Sequence, residues 1–156
     1  MTGRILQVLL VAGLALFFGW SRPASADPAG DSQTVGNVVI YLGLLPAEIV
    51  RGHPPQHVES GMHGGVSAAS GDYHVVVALF DARSGKRITA STVRARVSEI
   101  GLLGEEKTLE SMQIAGTETY GNYFSMAGNG PFRIDIVIRL PGESQDIKAE
   151  FEHRHQ

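Results

Sequence analysis

The chain has no cysteine among its 156 residues. That absence removes disulfide staples and thiolate ligands, and with the thiolate goes a conventional blue-copper site. Stability then has to come from packing or from a bound metal. Cationic side chains are also in deficit, with 13 Lys and Arg against 16 Asp and Glu. A mildly acidic chain of this size suits neither nucleic acid nor anionic lipid as its main partner. Catalytic signatures are missing as well: no Gly-x-Ser-x-Gly elbow, no glycine-rich phosphate loop opening a helix, no cysteine nucleophile. Glu105, Glu106 and Glu118 read as solvated carboxylates with no partner across a cleft. The expectation is a protein that is not an enzyme.

The one long apolar run stands at the N-terminus. Arg4 precedes Ile5 to Trp20, which is almost unbroken hydrocarbon, and Ala24-Ser25-Ala26 follows with small residues. This reads as a secretory signal peptide over residues 1–26, too short for a comfortable membrane span. Cleavage would remove Arg4 and Arg22 and take the formal charge from −3 to −5. The residue after the cut is Asp27 and not cysteine, which disfavours a lipid anchor. A periplasmic location follows. The remaining 130 residues are enough for one core and short for two domains.

Beyond the signal, helical periodicity never lasts for ten residues. Residues 27–34 are polar and read as a flexible lead-in; residues 35–156 read as one β domain. Val38, Ile40 and Leu42 alternate in a first strand that ends near Pro46. In the next, Tyr73, Val75, Val77 and Leu79 share one face, with His74, Val76, Ala78 and Phe80 on the other. Val93, Ala95 and Val97 alternate with polar residues, Phe132, Ile134, Ile136 and Ile138 with Arg133, Asp135, Val137 and Arg139, and Ile147, Ala149 and Phe151 with Asp146, Lys148 and Glu150. Thr108–Ile114 and Thr119–Met126 are weaker strand candidates. About seven strands at this spacing predict a single immunoglobulin-like antiparallel β-sandwich. The expected buried set is Val75, Val77, Leu79, Val93, Val97, Phe132, Ile134, Ile136, Ile138 and Phe151.

The chemistry concentrates between the first two long strands. Half of the six histidines, His53, His57 and His63, stand with Met62 in one stretch of eleven residues rich in Pro and Gly. His53 and His57 have the spacing of a helical zinc pair, but Pro55 would fall inside the turn without an amide to donate. Met62-His63-Gly64-Gly65 sets a thioether beside an imidazole, donors that suit copper better than calcium or magnesium. His74 is either a hydrogen-bonded ring in a strand or a ligand that this segment folds over. Met112 and Met126 bracket a strand-turn-strand and read first as core filler able to reach one end of the sandwich. His153 and His155 share one side of an extended strand; at the C-terminus they read as a solvated tail.

The order Phe80-Asp-Ala-Arg-Ser-Gly85, Leu109-Glu-Ser-Met112, Tyr120-Gly121 and a closing strand pair through Phe151 resembles a known family. It is that of the exported immunoglobulin-like proteins accompanying bacterial high-affinity iron permeases; the likeness to the copper-linked YtkA-like domains is looser. It covers Ile40 to His153. The resemblance implies that a methionine and several histidines bind copper and help to handle iron, and it assigns such a ligand to Met112. Two departures stand out. Thr119 occupies the position of a family histidine, and the last inter-strand loop is reduced to Pro141–Gln145. Either the site is lost or it is rebuilt from residues 53–63. The second is the expectation taken forward: one copper ion held by His57, Met62, His63 and Met112, with His53 and His74 nearby and iron as the other metal. The implied partners are a metal ion, an inner-membrane metal permease or another envelope protein, and a second copy of the chain. The competing expectation is an envelope interaction module with incidental histidines.

Overall fold

The computed structural model describes residues 31–51 and 70–155. The element order is β1 (Ser32–Val35), β2 (Val38–Pro46), α1 (Ala47–Arg51), β3 (Asp72–Asp81), β4 (Thr92–Glu99), β5 (Glu105–Ile114), β6 (Thr117–Ser125), β7 (Phe132–Arg139) and β8 (Asp146–His153). All the strands are antiparallel to their neighbours, in the order β1-β2-β3-β6-β5-β4-β7-β8. The lead-in, the signal segment and the stretch bearing His53, His57, Met62 and His63 lie outside the described residues, apart from Asp31 to Thr34. Among the described residues no helix is long and apolar enough to cross a membrane.

β5 belongs to both layers of the sandwich. Its first half pairs with β4, with Leu109 opposite Val93 and Glu105 opposite Val97. Its second half pairs with β6, with Glu110 opposite Gly121 and Ile114 opposite Thr117. The sheet therefore folds over at β5, and its two margins come back together. There the Gln33 amide of β1 donates to the Glu150 carbonyl of β8. The result is an all-β, nearly closed sandwich.

Eight strands stand where about seven were expected. The addition is β1, whose Ser-Gln-Thr-Val has one apolar residue and so no alternation for the sequence to show. It overlaps the stretch 27–34 assigned to the lead-in.

The ten residues of the expected core are all buried in one cluster, joined by Ile40, Leu109, Tyr120, Phe124 and Met126. Alternation places them there, because a slip of one residue would turn every one of these sets outward. β6 gave a weaker pattern for a physical reason. Its residues Thr119 to Phe124 are covered on both faces except at Asn122, so polarity does not alternate along it. The β5–β6 turn is Ala115-Gly116, with φ of 49° and 73°, the conformation a two-residue hairpin needs at both central positions.

Glu118, expected as a solvated carboxylate, keeps contact with solvent but has hydrogen-bond partners. It accepts from the Tyr120 hydroxyl at 2.6 Å and from the Ala90 amide at 3.0 Å. The Tyr120 oxygen in turn accepts from the Ser91 amide at 3.0 Å. The Tyr120 hydrogen bond first, and the Ala90 amide next, hold Glu118 below the ordinary carboxylate range. Burial pushes the Tyr120 phenol up. This knot anchors the β3–β4 connection, where Ala90 has a φ of 56°.

Candidate functional site

β3 sends Val75, Val77 and Leu79 into the core, so His74 must point to the opposite face. His74 is nonetheless only 1% exposed, and Met112 only 3%. Thr119 and Tyr123 are buried beside them, and none of the four belongs to the core cluster. A second buried group thus exists on the outer face of β3, β6 and β5.

Strand register assembles it. His74 lies directly opposite Tyr123, and their rings stack at 4.6 Å with 23° between planes. Met112 lies opposite Thr119. Gly121 sits between Thr119 and Tyr123 on the same face of β6, and the space above it is filled by its neighbours. A Cβ at Gly121 would stand 2.2 Å from the Met112 terminal methyl and 2.8 Å from His74 Nε2. The thioether end and the imidazole nitrogen therefore converge over the missing side chain. The Met112 atom there is the methyl, one bond from the sulfur, so a soft donor stands close to a borderline nitrogen donor, a pair that suits copper better than a hard cation.

Thr119 cannot take a histidine's part there. Its hydroxyl faces the Met112 carbonyl at 3.4 Å, and an aliphatic alcohol is a poor copper ligand. Among the described residues no three His, Asp or Glu are grouped to hold a metal. Of the six residues expected at the site, the structure brings His74 and Met112 together; His53, His57, Met62 and His63 lie outside the described residues. The chain that bears these four leaves at α1 and re-enters at β3, whose third residue is His74.

The two strand-bracketing methionines part company. Met126 is buried in the core, as expected of filler, while Met112 is on the outer face. The Tyr123 stack on His74 was missed in the sequence, where an aromatic in an apolar stretch signals only packing.

The C-terminal histidines correct another expectation. His155 is docked, not solvated: its Nε2 lies 2.9 Å from the Met126 carbonyl and its Nδ1 3.0 Å from the Tyr73 hydroxyl. A carbonyl only accepts, so Nε2 carries the proton and Nδ1 accepts from Tyr73. The ring also packs against Phe132 at 5.3 Å and His153 at 5.2 Å. With both nitrogens bonded, His155 has none to offer a metal. His153 is held below the ordinary imidazole range by burial and by His155, with Asp31 opposing.

No protein-family model matches the chain, and no curated protein matches it in sequence. Solved structures do match in shape. A copper-bound variant of FetP from uropathogenic Escherichia coli is 18% identical with a TM-score of 0.60, over 81% of this chain and 95% of that one. A copper-bound variant of Campylobacter jejuni P19 is 15% identical with a TM-score of 0.61, over 81% and 95%. A DUF4426 family protein from Pseudomonas aeruginosa PAO1 is 14% identical with a TM-score of 0.60, over 81% and 94%. At such identities the likeness is one of architecture, and on that footing the chain has the fold shared by FetP and P19.

Proposed function

We propose that the chain is a periplasmic copper-binding accessory protein, non-catalytic, that handles copper or iron for a transporter or a tolerance system. The observation that carries this reading is the convergence of the Met112 terminal methyl, one bond from its sulfur, and His74 Nε2 over Gly121. The copper in the FetP and P19 structures of the same fold supports the choice of metal. Met112 and His74 would supply two donors from the sheet. His57, Met62 and His63 would complete the set, with His53 beside them, from the stretch that enters β3 just before His74. Thioether and imidazole together accommodate Cu(I), while Cu(II) would lean on the imidazoles. The chain would reach the periplasm by cleavage after Ala26, and an inner-membrane metal permease is the partner such a role calls for.

The test is a titration of residues 27–156 with Cu(I) and with Cu(II). Met112→Leu should weaken Cu(I) binding by about tenfold or more, a loss of about 1.4 kcal/mol, while Met126→Leu leaves it unchanged. His63→Ala should also weaken binding, and His155→Ala should not. If wild-type protein binds neither ion more tightly than about millimolar, the proposal fails.

A further inference from the structure

We infer that Lys107 is a positioning residue for the candidate site: it fixes the Tyr123 ring on which the His74 imidazole rests, and so aims His74 Nε2 at the cradle over Gly121. The inference deepens the copper reading and, where copper is concerned, rests on it. The Lys107 ammonium donates to the Tyr123 carbonyl at 2.7 Å, and the Tyr123 ring stacks on His74 at 4.6 Å.

The reason for a lysine lies in the fold-over at β5. Residues Glu105 to Leu109 pair with β4, and only Glu110 to Ile114 pair with β6, whose ladder to β5 ends at Gly121. Past that point β6 keeps β3 as its one strand neighbour, from Asn122 opposite Val75 to Ser125 opposite Asp72. The Tyr123 backbone faces the side that β5 has left. Its amide donates to Asn122 Oδ1 at 2.8 Å, and its carbonyl accepts from Lys107. Asn122 Nδ2 donates in turn to the Thr108 carbonyl at 2.9 Å. Two side chains thus bridge a split that no backbone ladder crosses. An amide and a carbonyl turned toward β5 also make Tyr123 and His74 a pair without mutual backbone bonds, the kind whose side chains come closest. The stack is the result.

The ammonium is itself fixed. Glu105 Oε1 lies 3.1 Å from Nζ, and the centre of the Phe124 ring lies 5.1 Å from it. A charged donor makes a stronger bond to a carbonyl than a neutral one, and the ring face adds attraction for the cation. Tyr123 and His74 are both buried, so ring and imidazole move together or not at all. Without the ammonium, the Tyr123 carbonyl loses this tie to β5 and the end of β6 is free to shift against it. The ring goes with its backbone, and the imidazole follows the ring. A metal site tolerates displacement of a ligand by only about half an ångström, so a small shift at Tyr123 is enough to take His74 out of the set.

The experiment studies residues 27–156 with and without copper. Without metal, the imidazole Cε1–H signals of a proton–carbon correlation spectrum are assigned by single histidine substitutions. The His74 signal should stand upfield in wild type, because its ring lies over the Tyr123 face, and should lose that shift in Tyr123→Leu. Lys107→Met should move it the same way while leaving the His155 signal in place; Lys107→Arg, which keeps a charged donor, should restore it. Cu(I) affinity should fall by about tenfold or more in Lys107→Met and in Tyr123→Leu, and no further in the double variant, because the first acts through the second. Lys148→Met, the loss of an exposed ammonium on β8, should leave both readings at wild type. Should Lys107→Met not fold, Lys107→Gln, too short to reach the carbonyl, takes its place. A His74 signal unmoved by loss of the ammonium would overturn the inference whether or not the protein binds copper. Additive losses of affinity in the double variant would overturn it in favour of a separate effect of Lys107. If wild type binds no copper, the metal reading falls alone, and the His74 signal still decides the positioning.

Discussion

Gly121→Ala separates the candidate site from the rest of the fold. The backbone there is ordinary extended strand, since φ is not in the left-handed region, so alanine adds no conformational strain. Only its methyl group has to be placed. It would fall 2.2 Å from the Met112 terminal methyl, 2.8 Å from His74 Nε2 and 3.1 Å from the Val75 carbonyl oxygen. Met112 has the flexibility to swing away, but the imidazole is stacked on Tyr123 and the carbonyl belongs to the β3 backbone. Such overpacking costs about 1–3 kcal/mol. With a urea m-value of about 1–3 kcal/mol per molar, a loss near 2 kcal/mol lowers the midpoint by roughly 1 M. Gly43→Ala is the matched control, because a Cβ there meets nothing closer than 3.7 Å. It should leave the midpoint unchanged or raise it slightly, as replacing glycine within a strand does. The assay is urea denaturation of both variants followed by copper titration. Gly121→Ala should lose copper affinity along with Met112→Leu, and Gly43→Ala should keep it. If Gly121→Ala matches wild type in midpoint and in copper affinity, His74 and Met112 do not meet over that glycine and the site is misplaced.

Ile136→Ala should cost about 2–5 kcal/mol by denaturation, since the side chain is fully buried at the centre of β7; a loss under about half a kcal/mol would contradict the face assignment. Glu118 has a folded pKa below its ordinary value of 4.5, so its contribution is present above that value and is lost as pH falls through the lower, folded one. Glu118→Gln should therefore make the acid limb of stability below about pH 4.5 shallower, as read by thermal melts across pH. His155→Ala removes two hydrogen bonds that join the C-terminus to Tyr73 and Met126, and should cost about 1–2 kcal/mol without changing copper affinity.

Legibility followed burial pattern. β3, β4, β7 and β8 could be read because each shows one hydrophobic face to the core; polar residues mark the other in β4 and β8, and in β7 at all but Val137. β1 could not, since three of its four residues are polar and its pairing with β2 is made by backbone groups. The site was half legible. Met112 stood out through its family resemblance and His74 through its place in a strand, but their convergence depends on register between β3, β6 and β5. No local signal encodes that register. Gly121 shows the same limit: in sequence it is a strand glycine, and only the fold reveals that its missing side chain makes room for a thioether and an imidazole. His155 was misread because a terminal histidine has no sequence signal for the tyrosine 82 positions earlier that receives it.

The meeting of β1 and β8 has a consequence for how the domain comes into being. Gln33 and Glu150 are 117 positions apart, and the strands that bear them are the first and the last. Strands β1 to β7 can pair with one another while the chain is incomplete; the seam cannot form until the last strand is available. Closing so large a loop is entropically slow, and because the contact is a side-chain bond and not a backbone ladder, the facing edges of β1 and β8 keep amides and carbonyls open to a passing strand. The seam is thus the last part of the sandwich that folding can complete, and its margins are where a strand from another chain would add.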